Sequence, residues 1–170
     1  MRWDELDLPA AIWRLPADRM KARRAHAVPL SRQVLGLLDV LRTVGTSTTH
    51  VLPGRYRPGS GREAPCVVVE SLGAALRRDR AERPAGAIAM LDPFTPHDLR
   101  RTCRTGLAAL GVDHVVAERV LAHQIAGVAG VYDRHDYVPE MRAALQRWAD
   151  HVDRIVSGEA LDNVVEMRGR

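Results

Sequence analysis

Five side chains of this sequence are of types that move protons or hold anions: Lys21, His97, Arg100, His123 and Tyr132. The stretch LAHQIAGVAGVYDRHDYVPEM, residues 121–141, sets Tyr132 and Tyr137, with His123 and His135, beside a run of glycines where an otherwise helical pattern breaks. A tyrosine phenol has a reference pKa of about 10, so it attacks near neutral pH only with positive charge or a base at hand. Arginine and histidine supply such charge and stabilise the negative charge that gathers on phosphate oxygens during transfer. Taken singly, each residue also has a plain reading. His97 and Arg100 suit an exposed helix face, His123 a helix end, Lys21 a solvated hairpin tip and Tyr132 an aromatic plug in a small core.

The elements that would position them follow from local pattern. FTPHDLRRTCRTGLAALG, residues 94–111, carries the signals of a helix start and stop: Thr95 as N-cap, Pro96 in the first turn, Asp98 three after the cap and Gly111 at the end. Leu99, Cys103, Leu107 and Leu110 are its expected core face. His97 and Arg100 then lie one turn apart near the helix N-terminus, where free N–H groups and the dipole favour an anion. DHVVAERVLAHQ, residues 113–124, reads as the next helix, capped by Asp113 and ending at His123. A long amphipathic helix over 139–158 follows from Met141, Leu145, Trp148, Val152 and Ile155.

Upstream, AIWRLP (11–16) and AHAVPL (25–30) flank a polar turn and predict a short β-hairpin with Lys21 near its tip. From Ser31, an N-cap, the period becomes helical to about Thr43–Gly45, with Val34, Leu37, Leu38 and Leu41 on one face. Residues 46–66 hold three Gly and three Pro and read as a loop with a possible strand at HVL. A further helix is expected to bury Val69, Leu72, Ala75 and Leu76, and AERPAGAIAMLDP breaks the chain after it. The fold class is therefore α+β, mainly helical, with a small N-terminal hairpin or sheet.

Composition narrows the function classes. With 170 residues, 46% of them hydrophobic and 27% charged, the chain can bury one core and is not of a disordered type. Of its 25 basic residues only Lys21 is a lysine, so the net charge of +4 is carried by guanidinium, which suits two-pronged binding of phosphate and a polyanionic partner. Cys66 and Cys103 form no CxxC pair, so a reducing cytoplasm is the expected location. No apolar run reaches the length of a membrane span. A metal site built from His97, His123 and His135 is a weaker reading, because the spacing matches no common ligand pattern.

The order HDLRRT, then LAH, then a tyrosine nine residues after that histidine, then an amphipathic C-terminal helix, resembles the catalytic domain of the tyrosine recombinases, the phage and prophage integrase family. RWDELDL, RMKARRAHAVPLS and GVAGVYDRHDY extend the likeness over nearly the whole chain. The resemblance implies a DNA breaking-rejoining core over residues 1–158 and a tail over 159–170. Tyr132 is the implied nucleophile, forming a 3′-phosphotyrosyl link to DNA without a cofactor or metal. Arg100 matches the second catalytic arginine, and His97 the histidine that assists proton movement at the nucleophile. His123 matches a donor to the non-bridging oxygen, and Lys21 the acid that protonates the departing 5′-hydroxyl. Tyr137 lies five residues beyond the family spacing and is expected to pack. The implied partners are duplex DNA at an attachment site and further copies of the chain, in a tetramer joined through the C-terminal segment. The family also places a first catalytic arginine in a GxRxxE segment shortly before the match to Arg2–Trp3, and no residue of this sequence fits it. The expectation is a catalytic domain without its N-terminal helix and with impaired cleavage; the alternative is a non-catalytic DNA-binding or subunit-interaction remnant.

Overall fold

Three short antiparallel strands, β1 (Leu6–Asp7), β2 (Ile12–Leu15) and β3 (His26–Pro29), make a sheet of order β1-β2-β3, with Leu6 opposite Trp13 and Trp13 opposite Val28. The computed structural model describes residues 1–45, 47–54, 66–67, 69–123 and 135–159. Tyr132, most of the 46–66 loop and the tail after Glu159 lie outside the described residues. The expected hairpin is present. Its β1 partner, two residues long, was too short to show a period-2 pattern.

Helix α1 (Arg32–Val44) starts at Ser31, whose side chain accepts from the Val34 amide at 3.4 Å. It packs Leu38, Leu35 and Leu41 against Leu30, Val51, Trp3 and the apolar side of the sheet, Trp13 included. The expected face is thus rotated by about one residue: Leu37 is 63% exposed, because Leu38 rather than Leu37 is central to the contact with the sheet. Isolated bridges join Arg2 to His50 and Pro53 to Cys66, in place of a strand at HVL.

Helix α2 (Val69–Glu82) does not bury its stripe, since Leu72 is 48% exposed and Ala75 is exposed too. Its main packing among the described elements is with α3 (Ala87–Met90), a single turn inside the stretch expected to be a break. Four residues carry too little periodicity to show a helix.

The second core lies between α4 (Pro96–Ala109), α5 (His114–Val120) and α6 (Val138–Ser157), around Leu107, Val116, Ala117, Met141 and Ala144. Capping follows the sequence: Thr95 and Asp98 form a reciprocal capping box, and the Asp113 carboxylate accepts from the Val115 and Val116 amides. Leu99, expected in this core, is 52% exposed, because it lies two turns before Leu107, at the N-terminal end of α4 beyond the edge of the cluster. At the other end of the core Ile155 is 51% exposed, as the last turn of α6 runs past α4 and α5. Met141 is buried within its own domain, so the apolar stripe of α6 is largely satisfied there.

The two cores meet through α6. Arg142 donates to the Ala10 and Ala11 carbonyls of the β1–β2 turn at 2.9 and 3.3 Å, and Gln33 of α1 donates to Asp150 and Asp153 at 2.8 Å each. On the other side of α6, the ring of Trp148 lies directly on the α4 backbone at Gly106, where any Cβ would collide with it. Alanine inside a helix is normally better than glycine by about 1 kcal/mol. Gly106→Ala is nevertheless expected to destabilise the chain by about 1–3 kcal/mol, since a rigid indole must move out of a packed core. A thermal melt checks it, and a raised Tm would show that the ring yields freely.

Candidate active site

Local geometry places each candidate group. Helix α5 is shorter than expected and ends at Val120, because the chain turns over in a Schellman arrangement: the Ala122 amide donates to the Arg119 carbonyl and the His123 amide to the Glu118 carbonyl, both at 2.9 Å. Ala122 takes φ +54 at the left-handed position of this motif, where glycine is least strained. His123 therefore stands two residues past the C-cap Leu121, folded back beside Glu118. His97 and Arg100 are exposed one turn apart on the first turns of α4, as expected.

Arg100 and His123 are brought into one neighbourhood. The Arg100 guanidinium donates from Nη2 to the Leu121 carbonyl, two residues before His123. One turn further along α4, Arg104 donates from Nε to Glu118 Oε1 at 2.7 Å, and Glu118 Oε2 meets His123 Nδ1 at 2.5 Å. Hydrogen bonds from Arg104 and then from His123 hold the Glu118 carboxyl below its usual value, so it is a carboxylate at neutral pH. Sequence reasoning did not pick out Arg104 or Glu118. Arg104, four residues after Arg100 on one helix face, was the available signal; its pairing with Glu118 needed the fold.

Lys21 is exposed in the β2–β3 connection, after the 3-10 turn Ala17–Arg19, and among the described residues no hydrogen bond or ion pair joins it to the α4–α5 group. The base of its hairpin does approach α5. His26, at the start of β3, is half-buried beside the charge of Arg119, and burial first, then that charge, push its pKa below the ordinary 6.5. The sign follows. Protons bind the unfolded chain near pH 6.5 before they bind folded His26, so stability is expected to fall as pH drops from 6.5 towards the depressed value. His26→Gln should flatten that part of the curve, read from urea midpoints at pH 7.5 and 5.5; an unchanged slope would assign it to other groups.

Tyr137 packs against the α4–α5–α6 core with Arg119 stacked on its ring at 5.4 Å, as its expected packing role requires. His135 bonds to Glu140 at 2.9 Å and meets Tyr137 edge to face. Burial pushes the Cys103 thiol up, which leaves it a poor nucleophile. Among the described residues no cluster of three or more His, Cys, Asp or Glu is placed to hold a metal ion, and no helix is long and apolar enough to cross a membrane. A cavity of about 480 Å³ lies around Arg2, Asp4, Glu5, Arg14 and Arg19, and none of Lys21, His97, Arg100 and His123 lines it. Its mixed charges are largely paired with one another, the buried Glu5 accepting from Arg19, from the Arg2 amide and from Trp13 Nε1.

What the fold presents is a mainly helical α+β unit with arginine and histidine donors fixed on one surface, of a kind suited to gripping a phosphate. Comparison with known proteins gives the group more closely. The model of the phage integrase family matches residues 1–138. The chain is similar to the prophage integrases IntA (34% identical) and IntZ (35%) of Escherichia coli K12, in each case over 92% of its own length. It is 30% identical to the integrase of Enterobacteria phage P4 over 89% of its length. The match spans only about a third of each relative, 35% of IntA and 36% of IntZ. No solved structure matches the chain. The chain belongs to the phage integrase family.

Proposed function

We propose that the chain carries the catalytic core of a tyrosine-type site-specific recombinase, over residues 1–158 with 159–170 as a tail, and that it cuts and rejoins duplex DNA in the cytoplasm. In this reading Tyr132 Oη attacks a backbone phosphorus and the P–O5′ bond breaks. The phenol proton leaves with help from His97, and Lys21 protonates the departing 5′-oxygen. Arg100 and His123 hold the non-bridging oxygens as charge builds there. The phosphotyrosine keeps the energy of the broken ester, and attack by a 5′-hydroxyl reverses the step, so one phosphodiester is lost and one regained. The observation that supports this most is the shared neighbourhood of Arg100 and His123, made by the Leu121 carbonyl between two helices that the sequence keeps apart. Assembly on DNA as a tetramer, through the exposed end of α6 and the tail, belongs to the same proposal.

The test is covalent capture. A nicked duplex whose short 5′-ended fragment diffuses away after cleavage should leave the protein attached to DNA on a denaturing gel, from this chain and from a version extended by a GxRxxE helix. No adduct from either would overturn the catalytic reading. DNA binding that weakens steeply with salt, without an adduct, would replace it with the non-catalytic one.

A further inference from the structure

Glu118 has no part in the chemistry just described, yet among the described residues it is the group that meets the His123 ring. The Schellman turn explains why they meet. It joins residues C3 and C″ of a helix end through the backbone, and such pairs usually make an apolar contact. Here those positions hold a carboxylate and an imidazole, 2.5 Å apart, with the glutamate side chain 20% exposed. Both carboxylate oxygens are committed: Oε1 to the Arg104 guanidinium at 2.7 Å, Oε2 to His123 Nδ1. Arg104 is itself held, donating from Nη2 to His114 Nδ1 at 2.7 Å. The charged groups around the imidazole are thus Glu118 on its own element and Arg104 and Arg100 on α4, the last acting on the Leu121 carbonyl.

A carboxylate only accepts, so the His123 nitrogen facing it must carry a proton. Nε2, across the ring, is then the atom left for a ligand, and it can donate to a phosphate oxygen only when the ring holds both protons. We propose that Glu118 is the positioning residue for His123: anchored to α4 by Arg104, it keeps the proton on Nδ1 and turns Nε2 outward. The inference rests on the reading of His123 as a donor to phosphate.

Glu118→Gln makes a sharp test. An amide has one acceptor oxygen where the carboxylate has two, and Arg104 and His123 would compete for it. The guanidinium cannot give up its proton, so it takes the oxygen, and the amide NH2 is left facing Nδ1. His123 should then change tautomer, losing the Nδ1 proton and keeping the one on Nε2. Long-range ¹H–¹⁵N spectra of the labelled 170-residue chain, with the ring assigned through His123→Asn, report which nitrogen is protonated in the neutral form. The wild type is expected to show Nδ1–H and Glu118→Gln to show Nε2–H. An Nε2–H wild type, or a variant with the wild-type pattern, would overturn the inference.

Covalent capture supplies the second readout. Glu118→Ala should slow adduct formation about 10- to 100-fold, part of what a positioned proton-handling group contributes. In a His123→Ala background the same change should cost less than about twofold. Losses that multiply would mean that Glu118 acts only as a brace through Arg104, and would sink the positioning role. The spectra need no DNA, so the two failures are separable. Nδ1–H in the wild type with no adduct from any version removes the recombinase reading and with it the phosphate role of His123. Adducts with an unresponsive tautomer remove Glu118 alone.

Discussion

Tyr132→Phe is expected to abolish covalent capture of DNA completely while leaving salt-dependent DNA binding in place, whereas Tyr137→Phe captures DNA at close to the wild-type rate. Phenylalanine keeps the ring and removes the one atom that could bond to phosphorus. The two tyrosines, five residues apart, make the comparison strict. Tyr137 is the N-cap of α6 at φ +55, its ring against the core and under Arg119, and a ring so committed cannot swing to a phosphate without opening the end of that helix. Its phenylalanine variant keeps those ring contacts. Denaturing gels of both variants with the nicked duplex, beside a filter-binding series in salt, separate chemistry from binding. Capture by Tyr132→Phe but not by Tyr137→Phe would exchange their roles, and capture by both would send the search to another nucleophile.

Helix starts were legible in the sequence because they are written within four residues. Ser31, Thr95 with Asp98, and Asp113 all cap where their spacing said they would. The hairpin was legible for the same reason. Periodicity, by contrast, says that a helix has an apolar face and not what will cover it, which is why Leu37, Leu72 and Leu99 were expected inside and are exposed. The site divides along the same line. His97 and Arg100 share one helix and could be read together, and the order of the motifs pointed to His123 and Tyr132. The Arg104–Glu118–His123 chain depends on a helix that ends three residues before the histidine and on an ion pair between α4 and α5. Nothing local in the sequence specifies either. Ala122 shows how narrow that margin was: an alanine at φ +54, in the region that favours glycine, carries the turn.

Arg100→Ala carries the second large expectation, a loss of about 100- to 1000-fold in the rate of adduct formation, equivalent to roughly 3–4 kcal/mol of transition-state stabilisation. Two effects act together. The guanidinium has five donors in a rigid fork, and its bond to the Leu121 carbonyl leaves others to face a phosphate, so alanine removes a fixed cationic donor. Alanine also frees the carbonyl at the end of α5, where the chain turns to present His123, at a cost of about 1 kcal/mol in stability. Arg100→Lys separates the two. An ammonium restores the charge but not the planar fork, so it can serve the carbonyl or the phosphate and not both in the same geometry. The lysine variant should recover most of the thermal stability and little of the rate, with single-turnover capture and a melt as the paired measurements. Because Arg100 and His123 meet through one turn, the Arg100→Ala and His123→Ala losses should combine to less than their product. A full product would mean that the Leu121 carbonyl does not couple them. A lysine variant as fast as wild type would show that charge alone, and not the held guanidinium, is what the phosphate requires.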